Sequence, residues 1–265
     1  MSRVRRYVGL FLTQLRMSIA LGAQYRYDFL VQGVLSLVWT ALGLIPLYVA
    51  LHDRPPMAGW SFEQALVVAG WFTLLKAVLD GAVNPSLVLD VEHIRQGTLD
   101  FVLMKPADAQ FLVSTAKFEP WRAVDLLAGV GILVWAFHLL GTTPSAPAVA
   151  VSVLLLFGAV AILYSIWIVV IAAAFWVVRL DNLSYLTGSL FDFARWPVSI
   201  FKGAARLFFT FVIPIALMTT YPAEALLGRL EPGAVWTGLL GAAVFIVVGR
   251  MIFTRAIGRY TSASS

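Results

Sequence analysis

Charges fall along this chain in clusters, and between the clusters run long apolar stretches. Crossing about 30 Å of hydrocarbon takes about 20 apolar residues in a helix. Residues 29–51 form the first such run, closed by the turn cluster His52, Asp53, Arg54, Pro55 and Pro56; 61–80 form the second, ending at Lys76 and Asp80. From 84 to 119 the character changes, with Asp90, Glu92, Arg95, Asp100, Lys105, Asp108, Lys117 and Glu119 in one stretch. Each such charge costs about 2.5–3.5 kcal/mol at the centre of a spanning helix, so this stretch is predicted to lie outside the membrane. Further spans are predicted at 121–140, at 148–178, which is long enough to tilt or project, and at 233–253. Before the first span, Val4, Val8, Phe11, Leu12, Leu15 and Ile19 recur at helical spacing with Arg5, Arg6 and Arg16 elsewhere, which predicts an amphipathic interface helix over 1–27.

Two segments leave the fifth crossing open. Residues 183–200 are moderately apolar and contain Asp192 and Arg195, whereas the apolar run at 207–221 is short and broken by Pro214. If 183–200 crosses, 203–228 dips in and returns from outside, and only Arg54, Arg195, Lys202, Arg206 and Arg229 of the 19 basic residues lie outside. If 207–222 crosses instead, Arg195, Lys202 and Arg206 also move inside, which the positive-inside rule favours. Either way there are six spans with both termini on the cytoplasmic side.

Composition agrees with the pattern. Of 265 residues, 60% are hydrophobic and only 12% charged, against about 25% charged in soluble domains. Mean hydropathy is +0.87. A soluble globular or disordered chain is excluded, and an all-α polytopic membrane domain covering 1–265 is expected. The net charge of +5 is explained by orientation in the bilayer rather than by nucleic acid, since Lys and Arg flank the spans. Without cysteine there is no disulfide framework, thiolate metal site or cysteine nucleophile. No small-residue cleavage site follows Arg3, Arg5 and Arg6, so no cleaved signal is expected.

Catalytic signatures are missing: there is no phosphate-binding G-x-x-x-x-G-K-[ST] loop, no H-E-x-x-H and no G-x-S-x-G. His52, His93 and His138 fall in three different segments, an arrangement that does not suggest a metal site. Ionisable pairs at helical spacing are more informative. Lys76 and Asp80 are four apart, Arg122 and Asp125 three apart, and Asp192 and Arg195 three apart, so each pair shares a helix face. Such pairs either line a translocation route or brace the ends of spans. Trp60, Trp121 and Trp236, near span ends, are read as interface anchors.

The segment 91–117, VEHIRQGTLDFVLMKPADAQFLVSTAK, reads physically as a charged helix-turn-helix broken at Gly97 and Pro106. On spacing alone, a solvated connection accounts for it as well as a working element does. Its residues, however, resemble the intracellular segment of ABC-2 type permeases, the membrane subunits of ATP-driven exporters. Glu92, Arg95, Gly97, Thr98, Leu99, Asp100, Leu103, Pro106 and Lys117 carry the match, with Asp100 where Glu is commoner. Pro197-Val198 resembles the Pro-Val pair that ends the fifth span in polysaccharide-exporting relatives; Ile213-Pro214 has the proline of the re-entrant part without its asparagine.

The resemblance implies six transmembrane helices with an N-terminal interface helix, a cytoplasmic coupling helix and an extracellular re-entrant element at 203–228, with 183–200 as the fifth span. It implies that 84–119 docks on a separate ABC ATPase subunit through Glu92, Arg95, Gly97, Thr98, Asp100, Lys105 and Pro106. A second permease, identical or related, completes the route, and membrane lipids surround it in the bacterial cytoplasmic membrane. No catalytic residue, metal or cofactor is expected in this chain; ATP and magnesium belong to the partner ATPase. Two alternatives stay open: a stand-alone secondary transporter using Lys76, Asp80 and Asp125, and an integral-membrane lipid-modifying enzyme built on Asp80, Asn84, Asp90 and His93.

Overall fold

A computed structural model describes residues 3–24, 26–173 and 188–258. Helix α1 spans Arg3–Gln24 and α2 spans Arg26–Leu51. Helix α3, Phe62–Val78, passes through a π-helical turn at Leu79–Val83 directly into α4, Asn84–Arg95. Two short helices follow, α5 (Asp100–Leu103) and α6 (Ala109–Ser114). Then come α7 (Ala123–Leu140) and α8 (Ala146–Ala172), followed after 188 by 3-10 turns at Asp192–Arg195 and Val198–Ile200. Helix α9 (Gly203–Phe211), a second π turn (Ala216–Thr220), α10 (Tyr221–Leu226) and α11 (Pro232–Ile257) complete the chain. The described residues form no β-strand.

Five helical stretches are long and apolar enough to cross a membrane: Tyr27–Leu51, Phe62–Ile94, Pro120–Leu140, Ala146–Ala172 and Pro232–Ile257. The pair Gly203–Phe211 and Ala216–Leu226, bent by 66° at Pro214, makes a sixth if counted as one span. A proline there removes a helical hydrogen bond and crowds the preceding turn, which accounts for the break. The expected fifth span at 183–200 has residues 183–187 outside the described part, as is 174–178 of the fourth run. Residues 192–195 and 198–200 of it are 3-10 turns rather than regular helix.

Local sequence explains the helix ends. Ser61 and Gln64 form a reciprocal capping box at the start of α3. The Ser145 side chain caps α8 ahead of Pro147, and Gly141, with φ at 64°, ends α7 in the left-handed conformation. Helix α3 is the hub: 72% of its most apolar window is buried within the protein, against 17% for α2 and for α11. The exposed apolar faces of the other helices are what a lipid-facing bundle requires, since lipid is as apolar as a core. Gly129 lets α7 lie against α3; a Cβ there would stand 2.8 Å from Leu74. Trp60 departs from the expected interface anchor. It is 3% exposed, donates its indole N–H to Ser199 Oγ at 2.9 Å and stacks under the Arg229 guanidinium at 3.6 Å.

Candidate functional site

Two polar constellations stand out, one between the spans and one on the segment that leaves them. The first begins on α3, where the four-residue spacing turns Lys76 and Asp80 to the same side. Their charged atoms lie 3.6 Å apart. Lys76 also reaches Asp192 at 3.6 Å, and Asp80 reaches Arg122 at 3.6 Å. Arg122 is held to Asp125 at 3.1 Å, and Arg195 to Asp192 at 3.3 Å. The three pairs visible in the sequence are thus one chain of contacts, drawn from α3 and the π turn after it, the 3-10 turn Pro120–Arg122 leading into α7, the start of α7 and the 3-10 turn at Asp192–Arg195.

Helix α2 closes the far side. The Ser36 hydroxyl donates to the buried carboxylate of Asp125, and Arg195 donates to the Gly43 carbonyl at 3.0 Å. Arg122 lies over the Trp121 ring at 4.0 Å and Arg195 over Phe72 at 5.1 Å. Together these groups line a cavity of about 680 Å³ between α2, α3 and α7. Three basic groups face three carboxylates, so the lining is neutral as a whole yet strongly charged locally. Charged groups at or near spans are costly unless paired, as these are.

The second constellation is the polar segment itself. Helix α3 runs unbroken through the π turn into α4, so one continuous helix joins the segment to Lys76 and Asp80. The π turn also meets the segment's other end: Glu119 N–H donates to the Gly81 carbonyl at 2.8 Å. Ser86, further along, exchanges hydrogen bonds with Lys117, donating to its carbonyl at 2.7 Å and accepting its N–H at 3.0 Å. Helix α4 ends in a Schellman turn, with Thr98 N–H on the His93 carbonyl at 2.9 Å and Gly97 N–H on that of Ile94 at 3.2 Å. Gly97 takes φ of 67°, which a side chain would strain.

Beyond that turn, Leu99 anchors α5 in the core while Phe101 and Met104 point away from it, 66% and 72% exposed. Helix α6 starts at Asp108, whose carboxylate accepts the Phe111 N–H at 3.0 Å. The same carboxylate is gripped by Arg250 of α11 in a two-pronged contact at 2.6 and 3.1 Å. The Arg250 guanidinium holds the Asp108 carboxyl below the usual carboxylate range; desolvation opposes this and the Phe111 N–H assists. Arg250 also donates to Gln110 at 2.6 Å, and Tyr164 of α8 meets both Gln110 and Ser114 at 2.7 Å.

Helix α1 lies along the outside of this segment. Arg6 donates to the Pro106 carbonyl, the Tyr7 hydroxyl accepts the Asp108 N–H at 3.0 Å, and Ser18 accepts the Phe118 N–H at 3.1 Å. Thr115 donates to Gln14 at 2.7 Å, and the Tyr7 and Phe111 rings meet edge to face at 4.8 Å. The segment is therefore clamped by α1, α8 and α11, and at its tip the Phe101 and Met104 side chains stand out.

Of the residues expected at a partner interface, Glu92, Lys105 and Pro106 are exposed, while Gly97, Thr98 and Asp100 are half-buried around the turn. The Arg95 side chain, like that of Asp90, lies outside the described residues. Glu92 accepts from Gln96 at 2.5 Å. Of the cluster Asp80, Asn84, Asp90 and His93, the structure brings Asp80 and Asn84 together, the Asn84 amide donating to the Asp80 carboxylate at 3.4 Å, and leaves His93 apart from them. Asp80 belongs to the cavity, Asn84 is occupied by the Trp167 indole N–H at 2.8 Å, and the His93 ring pairs with Thr98 at 2.8 Å, about 20 Å further along the helix. Sequence reasoning missed Asp108, Tyr164 and Arg250. Asp108 carried a signal, an acidic residue just ahead of a short apolar run, and Arg250 was visible as a charge near the end of a span.

Residues 37–264 match a family model described as ABC-2 family transporter protein. The match begins within α2 and takes in the whole polar segment and the cavity lining except Gln32, Leu35 and Ser36. No curated protein and no solved structure matches the chain.

Proposed function

The chain belongs to the ABC-2 family of transporter proteins, and from that premise we propose that it is the permease subunit of an ATP-driven exporter. Two permeases, identical or related, enclose the route. Two ATPase subunits dock on the cytoplasmic face, and they carry the ATP and magnesium. Residues 84–119 are the coupling segment, and both termini lie on the same cytoplasmic side. The bent pair Gly203–Leu226 then enters and leaves from outside, the arrangement that the resemblance to ABC-2 permeases implies.

The observation that carries this reading is the tip at α5. Phe101 and Met104 are large apolar side chains held out from a segment that is otherwise tied down on three sides, beside the exposed Lys105. In water each forfeits about 1.5–3 kcal/mol that burial would return. A docked protein groove recovers it, while Glu92, Arg95, Asp100 and Lys105 supply polar contacts that re-form in each cycle. Closing of the ATPase pair then displaces the tip, and the continuous α3–α4 rod passes the movement to the cavity.

The test is an affinity pull-down from native membranes in mild detergent. Wild type is expected to recover an ABC ATPase. Phe101→Asp with Met104→Asp, and separately Glu92→Ala, Arg95→Ala and Asp100→Ala together, are expected to lose it. Equal ATPase recovery by all three proteins, or none by wild type in several detergents, would sink the assignment of the docking site.

A further inference from the structure

The contacts in the cavity are unequal, and the inequality points to a ligand. Those at the edges have hydrogen-bond lengths: Arg122 to Asp125 at 3.1 Å and Arg195 to the Gly43 carbonyl at 3.0 Å. Those at the centre do not. Lys76 stands 3.6 Å from both Asp80 and Asp192, and Arg122 stands 3.6 Å from Asp80, beyond the range of a hydrogen bond. Donors that are fixed at the rim and unsatisfied in the middle are a preorganised receptor for an anion.

A bare anion is not the best fit. Taking Lys76 and Arg122 would leave Asp80, only 13% exposed, without either of its cations, a costly arrangement, and would leave Asp192 with Arg195 alone. A ligand that brings an amine beside its phosphate restores the balance, with phosphate on Lys76 and Arg122 and amine on the two carboxylates. About 680 Å³ is within the range of about 300–1,000 Å³ typical of small-molecule sites. The rim on α2 is Leu35, Trp39 and Leu42, all exposed apolar side chains that line the same cavity, so a tail has an apolar path out into lipid.

We propose that this cavity binds the zwitterionic head group of a phosphate-and-amine amphiphile, which enters sideways from the surrounding leaflet with its tail along α2. The proposal rests on the transport reading and deepens it by naming the substrate class.

Native mass spectrometry of the purified chain alone tests it, without the ATPase, so that it fails or stands separately from docking. Phosphatidylethanolamine, phosphatidylglycerol and soluble phosphoethanolamine are titrated in turn. The expected result is retention of phosphatidylethanolamine about tenfold tighter than phosphatidylglycerol, with no retained phosphoethanolamine. Lys76→Gln and Arg122→Gln are expected to weaken retention about tenfold. Thr40→Trp, which fills the cavity and leaves every charge in place, is expected to do the same, so the result does not hang on an arginine variant that fails to fold. Equal retention of the two lipids, or retention unchanged in Lys76→Gln and Thr40→Trp, means annular lipid only and overturns the proposal. Phosphoethanolamine bound as tightly as the lipid also overturns it, in favour of a soluble anion site.

Discussion

The clamp around Asp108 and the cavity around Lys76 use the same chemistry, carboxylates facing Lys and Arg, and they use it in opposite ways. At Asp108 one carboxylate takes two guanidinium N–H groups at 2.6 and 3.1 Å and a backbone N–H besides, while Tyr164 and Tyr7 fix the neighbouring backbone and side chains. Every donor there has a well-aligned acceptor. At Lys76 one ammonium is suspended between two carboxylates at 3.6 Å and satisfies neither fully. A charge-assisted, two-pronged pair fixes position, whereas a slack ion pair is readily exchanged for a better partner. The continuous helix from α3 through the π turn to α4 leads from the cavity toward the clamped segment.

The largest effect is expected where the cavity is tight. Asp125→Ala removes the buried acceptor of both Ser36 and Arg122, and breaking such a pair costs about 2–4 kcal/mol even with Arg122 partly solvated. A thermal melt in detergent should show a clear drop in midpoint; an unchanged midpoint would mean the cavity's edge is as slack as its centre.

Next comes the clamp. Asp108→Asn keeps the shape but loses the charge, and since both partners are partly exposed the expected cost is about 1 kcal/mol or less. The pH dependence sharpens this. The folded carboxyl titrates below its unfolded value of about 3.9, so its stabilisation is complete above that value and fades as pH falls through the folded one. The gap in melting midpoint between wild type and Asp108→Asn should therefore be steady near neutrality and close in strong acid. A gap that instead widened in acid would show that Arg250 is not what stabilises the charged form.

The smallest stability change belongs to Lys76→Gln, about 0.5 kcal/mol or less, because long, half-exposed ion pairs contribute little. Its loss should fall on lipid retention. A melting shift as large as that of Asp125→Ala would erase the distinction between the two regions.

Much of this was legible without coordinates. The long runs with few charges located five of the spans, and helical spacing paired Lys76 with Asp80, Arg122 with Asp125 and Asp192 with Arg195, because contacts three or four residues apart are set by one local turn of the chain. The Gly97 turn was equally local. The pattern at 91–117 named the family, as the match over 37–264 bears out. The expected fifth span at 183–200 was harder: its moderate hydropathy suggested a helix, and of its described part 188–191 is helical while 192–195 and 198–200 are 3-10 turns, with Arg195 held by the Gly43 carbonyl on α2.

Sequence alone therefore determined that this is a multi-pass helical membrane protein of the ABC-2 type, since burial in lipid demands long apolar helices and long apolar helices are written residue by residue. Only the tertiary structure decided that three ion pairs are one network around a cavity, that Asp108 meets Arg250 across 142 positions, and that α1 lies along the polar segment 84–119. The reason is physical. A helix that is apolar all round carries no mark of which face meets lipid and which meets a neighbour, so the rotation of each span, and with it every contact between distant charges, is settled by packing.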